Sequence, residues 1–96
     1  MRRHVRIEYT LKPEVDLESY KTRAAAFAGA IRAHHEGNAY TVYQHEKDPR
    51  RFTHLGSFEP QVVPTMQKEP WFESFTSHLR DSATNGPDVQ MVAPLP

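Results

Sequence analysis

The sequence predicts one α+β domain, with elements in the order β-α-β-β-α-β and four strands in one antiparallel sheet. Three observations predict it. A strictly alternating stretch opens the chain, two apolar stripes of helical period flank a hairpin-like segment, and a short β-prone run closes it. The 96 residues suit a single domain over 1–96 and leave no room for two.

Val5, Ile7, Tyr9 and Leu11 alternate with Arg6, Glu8 and Thr10, the period of a half-buried strand. Lys12-Pro13-Glu14 ends it, since proline has no N–H for a ladder. Leu17, Tyr20, Ala24, Phe27 and Ile31 then recur at three- and four-residue spacing on one helical face. Asp16 is the N-cap candidate and Glu18 suits the positive end of the helix dipole. Arg32, His34 and His35 fall in the last turn, and Gly37 is expected to leave the helix with φ > 0.

Ala39–Glu46 and Phe52–Phe58 read as two β-rich runs joined by the turn chemistry of Asp48-Pro49-Arg50. Glu59–Ser82 reads as a broken helix. Pro60 and Pro64 cannot both lie inside one regular helix, and Pro70 fits the first turn of another. Trp71, Phe72, Phe75 and Leu79 form its apolar stripe, 82–86 is a loop, and Val89–Ala93 is the last strand. The order is ferredoxin-like, with both helices on one sheet face. The strands also leave apolar residues for the other face, so a second layer, from another subunit, is expected to cover it.

Composition narrows the function. Apolar residues make up 38% and charged residues 25%, a globular balance. Lys plus Arg equals Asp plus Glu at 12 each, so the basic excess of a nucleic-acid binder is missing. Without cysteine there are no disulfides, thiol nucleophiles, thiolate zinc sites or iron–sulfur clusters. No apolar run reaches the ~18 residues of a membrane helix, and the alternating start lacks a signal-peptide core. The expectation is a cytoplasmic protein with no membrane or nucleic-acid partner. No glycine-rich phosphate loop supports nucleotide binding.

Tyr9-Thr10-Leu11-Lys12-Pro13, Glu36-Gly37-Asn38-Ala39-Tyr40-Thr41-Val42-Tyr43, Lys47-Asp48-Pro49-Arg50-Arg51-Phe52, Pro70-Trp71-Phe72-Glu73-Ser74-Phe75 and Pro94-Leu95 occur in a telling order. In that order and spacing, across nearly the whole chain, they resemble the antibiotic biosynthesis monooxygenase domains of the dimeric α+β barrel superfamily. The resemblance implies a homodimer with sheets packed face to face, and in each subunit a cavity between sheet and helices. It implies oxygenase chemistry without cofactor or metal on quinols and polycyclic phenols, or haem degradation. Two departures bear on this. The family commonly has tryptophan where this chain has Phe58, with glutamate at the place of Gly56, and a histidine in the region of Met66 and Gln67. Haem degradation is therefore not expected.

Six histidines stand out. If Pro49-Arg50 is a two-residue turn, His45 lies opposite His54, and Tyr43, His45, His54 and Phe58 share a face. His54 and Tyr43 are then the candidate catalytic pair, with His54 taking the proton of an aromatic hydroxyl. An electron-rich phenolate reacts with O₂ directly. Phe58, Trp71, Phe75 and His45 are the candidate pocket residues. The alternatives are a solvated His45, a structural His54, and helix aromatics that are plain core. A metal would need a third ligand from His4 or Glu46, and none is expected. Three functions stay open: a cofactor-independent monooxygenase on a quinol or polyketide-like compound, a non-catalytic protein binding a small hydrophobic ligand or a partner, and an isomerase or cyclase.

Overall fold

The opening alternation becomes strand β1, Arg3–Thr10, in the computed structural model, which describes residues 1–96. Helix α1 follows over Leu17–His34, then strands β2, Ala39–Gln44, and β3, Arg51–Phe58. The proline-rich segment divides into α2, Val62–Gln67, and α3, Pro70–Ser82, before strand β4, Asp88–Val92. The sheet order is β2-β3-β1-β4, with every neighbouring pair antiparallel. The fold is therefore ferredoxin-like, with its helices packed on one face of the sheet.

Local chemistry sets the helix ends. The Asp16 carboxylate accepts from the Ser19 N–H at 2.9 Å, which starts α1. Pro70 opens α3 at a position whose N–H has no helical partner in any case. Pro64 lies in the first turn of α2, where the same reasoning tolerates it. The end of α1 differs from expectation: His35 is extended at φ −152°, and positive φ occurs only at Asn85 and Gly86. A side chain takes over the capping that a left-handed glycine would provide. Asn38 Nδ2 donates to the Ile31 carbonyl at 2.8 Å.

The β2–β3 hairpin also differs. Tyr43 pairs with Thr53 and Val42 with His54, and the His45 N–H donates to the Arg51 carbonyl at 2.9 Å. The turn is thus longer than two residues. The Asp48 carboxylate accepts from the Arg50 N–H at 3.1 Å, and its carbonyl accepts from the Arg51 N–H at 3.0 Å. Arg50 also donates to the carbonyls of Lys12 and Val15, 2.9 Å each, tying the turn to the β1–α1 loop. The register moves by an odd number of residues, so Tyr43 and His54 stand on opposite faces of the sheet.

Residues paired across strands share a face. The inner face carries Tyr9, Tyr40, Phe52, His54 and Phe58, all buried under the helices. Phe27 of α1 and Phe75 of α3 stack at 4.4 Å and close the core above them. The outer face is mixed, not apolar as the sequence suggested. Tyr43, Leu55 and Val92 are its exposed apolar groups. Between them Glu8 accepts from Arg51 at 2.9 Å and lies 3.8 Å from Arg6. The even-numbered residues of β1 are charged or polar, and they run through the middle of that face.

Candidate functional site

A cavity of about 310 Å³ lies between the helices and the β1–β4 half of the sheet. Val5 and Ile7 of β1 and Val89 and Met91 of β4 form one wall. Phe27, Ile31, Met66, Phe72 and Leu79 come from the helices, and Tyr40 and Phe58 close the inner end. Of 15 lining residues 12 are hydrophobic, with Arg3, Gln67 and Thr76 the polar exceptions. Val89 and Met91 are each more than half exposed, so the cavity opens on the β4 side. The volume is at the small end for a ligand pocket and suits a compound of few rings.

Behind the Tyr40 wall runs a buried polar chain. The Tyr40 hydroxyl lies 2.7 Å from His54 Nδ1, and His54 Nε2 lies 2.6 Å from the Tyr9 hydroxyl. The Tyr9 hydroxyl is 2.6 Å from that of Tyr20 on α1. His54 is fully buried, and the three tyrosines are at most 5% exposed. Burial pushes the His54 pKa down from 6.5 to about 4, so the imidazole is neutral and has one N–H and one bare nitrogen. The same burial raises all three phenols, Tyr20 to about 12 even though Tyr9 and Arg23 favour its charged form. The chain is therefore uncharged throughout at neutral pH, with every hydroxyl hydrogen bonded.

Only part of the site read from the sequence comes together. Phe58 lines the cavity. His54 is one layer deeper, reached through Tyr40. Tyr43 is about half exposed on the outer face and cannot act with it. His45 is on that outer side too, its Nε2 2.9 Å from Thr53 Oγ1. Phe75 is core, stacked on Phe27 and facing the His54 ring. Trp71 packs its edge on Phe27 and His34 outside the cavity. No group of three or more His, Asp or Glu side chains converges to hold a metal ion. The sequence reading missed Tyr9 and Tyr40 as the partners of His54, and Tyr20 as the partner of Tyr9. Their signal was present, since all three sit on apolar faces where a hydroxyl needs a buried partner.

No protein-family model and no curated protein sequence matches the chain. Solved structures do. A provisionally named antibiotic biosynthesis monooxygenase from Nitrosomonas europaea superposes with a TM-score of 0.82 at 12% identity, over 98% of this chain and 90% of that one. Another, from Bacteroides thetaiotaomicron, gives 0.84 at 14%, over 98% and 90%. SnoaB from Streptomyces nogalater, a cofactor-independent oxygenase, gives 0.76 at 13%, over 97% and 92%. This chain has the antibiotic biosynthesis monooxygenase fold. Identities so low speak for the architecture alone.

Within that fold, the chain's departures from the family pattern gather at one place. Phe58, Met66 and Gln67 all line the cavity, and Gly56 lies beneath its inner end. A Cβ on Gly56 would stand 2.8 Å from the Tyr40 ring and 2.9 Å from the Phe58 ring, so the missing side chain lets both rings lie flat there. Both rings are buried and have little room to yield. Gly56→Ala is expected to destabilise the fold by about 1–3 kcal/mol through overpacking. Urea unfolding of the variant measures this, and an unchanged midpoint would contradict it.

Proposed function

We propose that this protein takes a small aromatic hydroxyl compound, a quinol or polyketide-like phenol, into the cavity and oxygenates it without a bound cofactor. The observation that supports this most is the pairing of a largely apolar cavity with one proton-accepting path at its inner wall, Tyr40 backed by neutral His54. The apolar walls would hold the ring away from water, and Tyr40 would accept the hydroxyl proton while passing its own to His54 Nδ1 as the Nε2 proton moves on to Tyr9. The resulting phenolate adds O₂ at an ortho or para ring carbon that bears a hydrogen, forming a C–O bond and a peroxide anion. The peroxide anion takes up a proton to become a hydroperoxide, which loses water, made of that carbon's hydrogen and the outer OH, to give the quinone. All the electrons come from the substrate, so no external reductant enters. Arg3, Gln67 and Thr76 are the groups available to orient polar substituents.

The test is O₂ uptake by the purified protein with a panel of naphthols, hydroquinones and anthrone-like phenols. Uptake is expected with at least one of them, and it should fall about a hundredfold or more in Tyr40→Phe, the usual size of a general-base contribution being about 10²–10⁴. A second reading, non-catalytic binding of a small hydrophobic ligand, is favoured by the scarcity of polar groups in the cavity. Saturable binding of panel members with no O₂ uptake would select it.

The same reading includes a homodimer packed through the outer sheet faces. Exposed Tyr43, Leu55 and Val92 on that face support it. Sedimentation at micromolar protein is expected to give twice the 11.1 kDa chain mass, and a monomer mass would overturn it.

A further inference from the structure

We propose that Tyr40, His54, Tyr9 and Tyr20 form a proton relay that carries the hydroxyl proton of a cavity ligand through the core toward His78. This rests on the reading of the cavity as a site for aromatic hydroxyl compounds. The geometry that motivates it is an unbroken line of hydrogen bonds, 2.7, 2.6 and 2.6 Å long, linking four side chains from three strands and a helix. A single buried histidine held by one partner would be an ordinary core feature. Here the imidazole is bonded at both nitrogens, and one of its partners is a wall of the cavity.

The protons in the chain can be counted. Three hydroxyls and one neutral imidazole hold four protons, and three hydrogen bonds use three of them. One proton is left for an end of the line, and two arrangements follow. In the first, Tyr40 donates to Nδ1, Nε2–H donates to Tyr9, Tyr9 donates to Tyr20, and the Tyr20 proton points out of the line. In the second all directions are reversed, and the Tyr40 proton points out instead. A ligand hydroxyl that donates to Tyr40 selects the first arrangement.

Transfer then converts the first into the second. The ligand O–H bond breaks as a Tyr40 O–H bond forms. The former Tyr40 proton moves to Nδ1, the Nε2 proton moves to Tyr9, the Tyr9 proton moves to Tyr20, and the Tyr20 proton leaves. His54 exchanges one neutral tautomer for the other and at no stage stores a charge. That suits a fully buried ring better than does a stationary imidazolium, because desolvation resists the charged form. The group beyond Tyr20 is half-buried His78, whose ring stacks on Tyr20 at 5.5 Å between centroids. The two are stacked, not hydrogen bonded, so the last transfer needs a rotation of His78 or an entering water.

The test uses 2-naphthol, a phenol that becomes a strong acid when excited by light and whose neutral and anionic forms emit at different wavelengths. Bound to the full-length protein, it is expected to show naphtholate emission, slowed in D₂O. Tyr9→Phe keeps the ring and the cavity but cuts the line behind His54, and it is expected to bind the naphthol with unchanged affinity while losing the naphtholate band. Should Tyr9→Phe not fold, Tyr20→Phe gives the same comparison one position further on. A purely structural network would leave the ratio of the two emissions at the wild-type value in either folded variant, which would overturn the relay. Binding to the wild type with neutral emission alone would also overturn it, and would leave the cavity reading intact. Failure of the wild type to bind 2-naphthol would remove the cavity reading, and the relay with it.

Discussion

Replacing His54 by alanine is expected to lower the stability of the fold by about 3–5 kcal/mol, the range for truncating a buried ring to a methyl group. The ring is fully buried between Tyr9, Tyr40 and Phe75, so nothing nearby is free to collapse into the space. Tyr40 loses its hydrogen-bond partner outright, whereas Tyr9 keeps Tyr20. An orphaned buried hydroxyl adds about 1–3 kcal/mol to the loss. A small domain has about 5–15 kcal/mol in total, so this change approaches the threshold of unfolding. Urea denaturation decides it, and a loss below about 1 kcal/mol would mean that His54 is not the keystone its contacts describe. The same expectation governs functional work. His54→Ala would confuse lost chemistry with lost structure, and His54→Gln, which retains polar atoms and bulk, is the better variant.

The second large effect is acid sensitivity. Burial depresses the His54 pKa to about 4, against 6.5 for the unperturbed side chain. Between these values the unfolded chain binds a proton that the folded protein refuses. This contribution to stability is complete above about pH 6.5 and declines as pH falls toward 4, below which both states are protonated and the loss levels off. The depression corresponds to about 3 kcal/mol. His78, lowered mainly by burial and then by Arg23, acts in the same direction but is much less enclosed. Unfolding midpoints at pH 7 and pH 4, compared between wild type and His54→Gln, isolate the effect from that of the carboxylates. The wild type is expected to lose markedly more stability on acidification than the variant. Parallel losses would refute the assignment.

The architecture was legible because each element has its own periodic or punctuating signal. Val5, Ile7 and Tyr9 alternate as a strand must, and Tyr20, Ala24, Phe27 and Ile31 repeat as a helix must. Asp16, Pro13 and Pro70 mark ends for reasons that involve only local sterics and hydrogen bonds. The site was less legible because it depends on parity across a turn. Asp48-Pro49-Arg50 announces a turn without revealing its length, and a change of register by an odd number of residues moves His54 from the company of Tyr43 to that of Tyr9 and Tyr40. The aromatic stripe of α3 posed the opposite problem. Trp71 and Phe75 do lie on an apolar face, but Phe72 and Leu79 are the ones that reach the cavity, a distinction set by how the helix is rotated over the sheet.

Strand β4 supplies Val89 and Met91 to the cavity, yet it has only five residues, all of them exposed, and it is paired on one side alone, with β1. Such a border ribbon opens at a lower free-energy cost than strands held on both sides. Access to the cavity therefore falls to the least secured strand of the sheet, while the stacked aromatic interior stays shut. Guest exchange would keep time with the fraying of that ribbon, at a tempo independent of how firmly the rest of the molecule resists denaturation.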